Sequence, residues 1–220
     1  MNSPIIQLLV LAGIAVFLIL RLRNVLGTRE GFEKPPTTIG AETKRRSQPE
    51  LEVIEGGPDR DITDHVAEDS DAAKALAAMK GVDRSFHLGE FLQGARGAYE
   101  MILMAFENGD LASVKPFLSD EVYAAFASVV EERERNGLKV EATFVGISEL
   151  SLKDVEFDRD TREAEVSVKF VGELTEVVRD RAGDLVEGSS SAIKRQRDVW
   201  TFARTMGSAD PNWILVATSE

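Results

Sequence analysis

Apolar residues run without a break near the start of the chain. Pro4 to Leu20 hold no charge and one strongly polar side chain, Gln7, and Arg21 and Arg23 follow at once. A helix rises about 1.5 Å per residue, so Pro4 to Leu22 reaches roughly 28 Å, enough for a hydrocarbon core near 30 Å. The pattern predicts a transmembrane anchor over residues 1–26 whose apolar surface includes Ile5, Leu9, Ile14, Phe17 and Leu20. No charge precedes the run and no small-x-small site follows it, so the anchor is expected to stay attached rather than be cleaved. A buried core helix, the alternative reading, fits poorly at a terminus ahead of a polar linker. Arg21, Arg23 and the later basic residues Arg29, Lys34, Lys44, Arg45 and Arg46 all lie C-terminal to the run. The positive-inside rule then predicts a single-pass protein of the inner membrane, N-terminus out, with its C-terminal domain cytoplasmic.

Periodicity disappears after the anchor. Residues 27–66 contain Pro35-Pro36, Pro49 and Gly56-Gly57-Pro58 among mixed charges and read as a disordered linker. A flexible chain of about 40 residues has an end-to-end distance of roughly 35 Å, which keeps the domain within a few nanometres of the bilayer. Helical spacing begins near Ser70 with Ala72, Ala75, Leu76 and Met79, and Gly81 is expected to stop that helix. The strongest helical stripe follows Ser85 and runs to about Asn108 through Phe91, Ala95, Ala98, Tyr99, Ile102, Leu103 and Phe106. Gly109 suits a left-handed stop. Asp110 is expected to cap a short helix with Leu111, Val114 and Leu118, and Ser119 another that buries Val122, Phe126, Val129 and Val130.

Past Asn136-Gly137 the period changes from helical to alternating. Val140, Ala142 and Phe144 share one face, whereas Val145 and Ile147 take the other, which predicts a bulge near Gly146. Ala164, Val166, Val168 and Phe170 alternate with Glu163, Glu165, Ser167 and Lys169, a strand with one wet and one dry face. A turn at Asp158-Arg159-Asp160 joins these two. A third strand is expected from about Ser191 to Thr205, and Ala209-Asp210-Pro211-Asn212 turns it into a last one, Trp213 to Ala217. Helices first and antiparallel strands after predict an α+β domain over residues 67–220.

Charge and composition narrow the chemistry. Residues 67–220 hold 18 basic and 29 acidic side chains, obtained by subtracting eight and nine from the totals of 26 and 38, a net of −11. Nucleic acid is an unlikely match for such a surface, and the anionic inner leaflet repels it. There are no cysteines, so disulfides, thiolate metal sites and thiol nucleophiles are excluded. The two histidines, His65 and His87, are 22 residues apart, without metal-ligand spacing. No metal or cofactor is expected.

The string from Phe86 to Asp110, with Gly94-Ala95, Tyr99, Ile102, Ala105-Phe106 and Gly109-Asp110, is followed by Val199-Trp200-Thr201-Phe202 and Asp210-Pro211-Asn212-Trp213. Together these resemble the Tim44-like domain, and the order of anchor, linker and domain is most similar to its bacterial members. The resemblance implies helices on a bent four-stranded antiparallel sheet, cone-like in the manner of the nuclear-transport-factor-two and cystatin-like folds, around a large apolar pocket. Candidate pocket walls are Phe91, Tyr99, Phe106, Phe126, Phe170, Trp200 and Phe202, each of which also suits ordinary core. The resemblance further implies recruitment of an Hsp-seventy-class chaperone or a membrane complex, and contact with cardiolipin-rich membrane through the first helices. The helix from Asp71 to Lys80 departs from that pattern, because Asp69 and Asp71 edge a narrow apolar face.

The same superfold hosts isomerases and dehydratases, whose sites need an Asp or His in an apolar pocket beside a Tyr. Here His65 falls in the linker, His87 near a helix start, and no buried acid stands out. Three functions follow in order of support: a membrane-anchored, non-enzymatic adaptor or scaffold that binds a protein partner or client, a protein that binds a lipid or other apolar ligand, and an enzyme of the superfold type.

Overall fold

The computed structural model of the chain describes residues 59–219. The predicted anchor, its arginines and the linker as far as residue 58 lie outside the described residues. Among the described residues no helix is long and apolar enough to cross a membrane.

The folded part starts within the stretch assigned to linker. Asp59 caps α1 (Arg60–Thr63) by accepting from the Asp61 N–H, and Ile62 is buried. A four-residue helix is too short to show an apolar period, so composition alone reads it as linker. Ser70 Oγ caps α2 (Asp71–Val82) by accepting from the Ala73 N–H at 3.1 Å, and Leu76 and Met79 are fully buried. Gly81 does not end this helix. Its φ is not positive, so it supplies no left-handed stop, and the chain leaves the helix only at Asp83.

The long stripe forms α3 (Leu88–Asn108), and Gly109, at φ 73°, gives the left-handed stop expected of it. Asp110 caps no α-helix. Two 3₁₀ turns follow, Leu111–Ser113 and Lys115–Phe117, and Pro116 in the second lacks the N–H an α-helix needs. Ser119 Oγ then accepts from the Val122 N–H at 3.2 Å to start α4 (Asp120–Arg135). Val122 and Val130 are buried, but Val129 is exposed, since adjacent helical positions are turned about 100° apart and Val130 takes the inward one.

Four strands, β1 (Lys139–Phe157), β2 (Glu163–Arg179), β3 (Leu185–Thr205) and β4 (Ile214–Ser219), form one antiparallel sheet in that order. The expected bulge appears as a register shift between Phe144 and Gly146, and two more follow at Ile147/Glu149 and Leu152/Asp154. Each shift bends the strand. Ala164, Val166, Val168 and Phe170 are fully buried, as their alternation requires. The β2–β3 hairpin is longer than predicted, with Arg179 opposite Leu185. Residues 171–179 and 185–190, on either side of the turn, alternate poorly, so pairing with the neighbouring strand, rather than local propensity, holds them extended. One irregularity sets residues 190–193 against Thr175 alone.

α2 and α3 pack on β1 and α4 packs beside β4. Leu118 bridges to Leu215, and the Ser119 N–H donates to the Leu215 carbonyl at 2.9 Å. One continuous core lies between helices and sheet. This is the α+β arrangement predicted, an open four-stranded sheet with helices against it.

Candidate functional site

Four aromatic rings meet where α3 begins. Phe86 comes from the connection between α2 and α3, Phe91 from the first turn of α3, Phe202 from β3 and Trp213 from the loop before β4. Ring centroids lie 4.6 Å apart for Phe91 and Trp213, 5.9 Å for Phe86 and Trp213, and 6.0 Å, edge-on, for Phe91 and Phe202. With Ala95 and Phe117 they wall a groove of about 420 Å³, rimmed by Ser85, His87, Glu90 and Asn212. Such a surface suits an apolar or aromatic side chain.

Four charged side chains beside the groove, Asp61, Lys80, Asp83 and Arg204, are tied in pairs. Arg204 donates from Nη2 to Asp83 Oδ2 at 3.0 Å and from Nε to the Asp210 carbonyl at 3.3 Å. A Ser85 hydrogen bond, partly opposed by burial and aided by Arg204, holds the Asp83 carboxyl below the usual range. On the other side, Asp61 Oδ2 accepts from the Leu88 N–H at 2.7 Å and Oδ1 from the Gly89 N–H at 2.9 Å. Lys80 Nζ contacts Asp59 at 2.6 Å and Asp61 at 2.7 Å. Burial alone raises the Asp61 carboxyl, but Lys80 and the Gly89 and Leu88 amides outweigh it and lower it to about 2. His87 occupies the N-cap position of α3 without a capping bond, and its side chain is 53% exposed.

The seven predicted wall residues do not share one pocket. Phe91 and Phe202 line the groove. Tyr99, Phe170 and Trp200 form a sealed centre: Tyr99 stacks on Phe170 with centroids 4.4 Å apart and meets Trp200 at 4.7 Å. Phe106 walls a second pocket, of about 480 Å³, at the far end of α3, and Phe126 packs on it at 4.8 Å.

Two acids are buried, contrary to the expectation from sequence. Asp198 accepts from Tyr99 Oη at 2.6 Å and from Gln196 Nε2 at 3.2 Å. Burial, and next the bond to Asp198, pushes the Tyr99 phenol well above its ordinary range, so it remains a donor. Tyr99 lies so close to Gly172 that a Cβ there would meet Oη at 2.6 Å. The pair locks α3 to β3. Glu107 faces Arg133 at 3.2 Å without in-line hydrogen-bond geometry, and the Arg133 guanidinium sits 4.6 Å over the Phe106 ring. Burial raises the Glu107 carboxyl while Arg133 opposes it. Its ionised form is therefore the costly one, and its contribution to stability grows as pH falls.

Sequence reasoning missed Asp198, Glu107, Asp61 and the groove wall Trp213. A signal existed for two of them: Asp198 shares the parity of Trp200 and Phe202, and Glu107 lies one turn beyond Leu103 in the apolar stripe. None existed for Asp61, which caps amides 27 and 28 residues away. Among the described residues no group of three or more His, Asp or Glu is placed to hold a metal.

Helices layered against an open antiparallel sheet, with an aromatic groove at the start of the longest helix, define the class of domain. Residues 72–220 match the model of the Tim44-like domain, and the chain belongs to that family. A curated relative, mitochondrial import inner membrane translocase subunit TIM44-1 of Arabidopsis thaliana, is 23% identical over 143 residues, 65% of this chain and 30% of the relative. The chain thus spans less than a third of that protein. Among solved structures, the intermembrane space region of the chloroplast protein ARC6 aligns with a TM-score of 0.37 and 14% identity over 68% of this chain and 95% of that one.

Proposed function

We propose that this protein is a membrane-anchored, non-enzymatic adaptor that holds a protein partner or client through the groove at the start of α3. The observation that carries the reading is a groove backed by four aromatic rings, the half-buried Trp213 and the buried Phe86, Phe91 and Phe202, beside which Asp61 pairs with Lys80 and Asp83 with Arg204. Family membership supports it, since the related Arabidopsis protein is named as an import translocase subunit. In this reading residues 1–26 anchor the chain in the inner membrane, residues 27–58 tether the domain, and the domain lies on the cytoplasmic side, where an Hsp-seventy-class chaperone or a membrane complex is the kind of partner expected.

The test is site-specific photo-crosslinking in cells from the rim position Asn212 in the full chain. A defined partner band that disappears with Trp213→Ala is expected; the chain alone, under several mild detergents, overturns the reading. A reporter that works only in the cytoplasm should be active when fused after Glu220, and activity of a periplasm-dependent reporter overturns the orientation.

The apolar lining also favours a second reading, a lipid or other apolar ligand in the groove. Mass spectrometry of the chain purified in mild detergent should then find a retained ligand, and an empty groove removes it. Catalysis has less to stand on, because the buried Tyr99–Asp198 pair lines neither the aromatic groove nor the second pocket and His87 is half in solvent.

A further inference from the structure

Residues 59–66 precede the family match and yet hold the start of α3, whose neighbouring residues line the groove. The first amides of a helix have no partner within it, and His87 at the N-cap position supplies none. The Leu88 and Gly89 amides are bound instead by the Asp61 carboxylate, carried on α1. Gly89 lies against that carboxylate, so a Cβ there would meet Asp61 Oδ1 at 3.4 Å. Lys80, near the end of α2, grips Asp59 and Asp61 together. Residues on either side of the clamped amides, Ser85, Phe86, His87, Glu90 and Phe91, line the groove. Asp83 and Arg204 brace the same connection from the sheet. The last turn of the chain leading into the domain is therefore part of the groove's support.

We propose that Asp61 is a positioning residue that couples the segment leading into the domain to the groove, so that the groove holds its ligand well only while that segment is clamped. The proposal rests on the groove being a binding site. Coupling of this kind is reciprocal: whatever frees Asp59 to Thr63 weakens binding in the groove, and a ligand in the groove tightens the clamp by the same factor. A partner that pulls on or binds the segment before residue 59 thereby changes occupancy of the groove without touching it.

The experiment compares the full chain in detergent with Asp61→Ala, Asp61→Asn and the control Lys74→Ala, an exposed pair member far from the groove. Amide hydrogen exchange is read at residues 88–91 and at Val166 to Phe170, and Nile red, an uncharged apolar probe, is titrated against tryptophan emission with Trp200→Phe placed in every protein compared, so that Trp213 alone reports. Asp61→Ala should speed exchange at residues 88–91 about tenfold, leave Val166 to Phe170 unchanged, and weaken probe binding about threefold or more. Asn keeps one acceptor oxygen but turns an NH2 donor toward the second amide, so Asp61→Asn should restore only part of the probe affinity. Faster exchange confined to residues 59–66, with probe affinity unchanged, overturns the coupling. If the probe fails to bind the unaltered chain, the groove reading fails by itself. The exchange at residues 88–91, together with the Trp213 emission maximum with and without Asp61, then still decides whether the clamp shapes the wall.

Discussion

The two ends of α3 treat charge in opposite ways. At its start the charged groups stand at the margin, Asp61 on helix amides and Lys80, Asp83 on Arg204, and the space between them is walled by four aromatic rings. At its finish a buried carboxylate, Glu107, and a part-exposed guanidinium, Arg133, stand 3.2 Å apart against Phe106 without in-line hydrogen-bond geometry. Asp83 and Arg204 are little more hydrated than the far pair, but they, like Asp61 and Lys80, have hydrogen-bond partners. Glu107 and Arg133 need each other, because removing either takes away its partner's nearest counter-charge. The first arrangement leaves a groove walled mostly by rings; the second joins α3 to α4 and puts the charged pair itself, with Phe106, in the lining of the second pocket.

Breaking the buried end should have the largest effect. Arg133→Ala removes the nearest counter-charge of Glu107 and leaves it only the more distant Lys194, and is expected to cost about 3 kcal/mol in urea unfolding, whereas Glu107→Leu combined with Arg133→Met should return to within about 1 kcal/mol of the parent.

At the marginal end the decisive variable is pH. Asp61 has its carboxyl lowered from 3.8 to about 2, so its stabilisation is complete above the unfolded value and is lost as pH falls from about 4 through about 2. The parent should lose about 2 kcal/mol relative to Asp61→Asn over that window, and parallel acid titrations of the two proteins would remove the claim. Next comes the sealed centre between the two ends. Tyr99→Phe removes one of the donors to Asp198 and should lower stability by about 1 kcal/mol, with the loss seen as a lower midpoint at unchanged slope. No larger in stability is the groove wall itself. Trp213→Ala, at a half-buried ring, should cost only about 1 kcal/mol by thermal unfolding while abolishing the crosslink from the groove rim.

How much of this is legible in sequence depends on the range of the interactions. The stripe from Phe91 to Phe106, the Gly109 stop, the Ser119 cap and the dry face of β2 are local patterns, and the structure has them where the periodicity puts them. The groove is not local. It takes rings from the α2–α3 connection, α3, β3 and the last loop, and nothing in the spacing of Phe86, Phe91, Phe202 and Trp213 says they converge. Conversely Tyr99, Phe170 and Trp200 look like wall candidates because large aromatics serve core and pocket alike, and only packing separates the two uses. Asp198 shows the intermediate case: its parity marks it as inward, but its partner Tyr99 sits 99 residues away.

The interrupted register of the sheet has a consequence for how copies of this protein behave in a crowd. A flat strand with a free rim can recruit another by backbone bonding alone and seed fibrous assemblies. β1 breaks its ladder three times along nineteen residues, and β3 sets residues 190–193 against a single partner just where no fourth strand covers it. Copies crowded together would otherwise meet rim to rim; these kinks deny them a straight template.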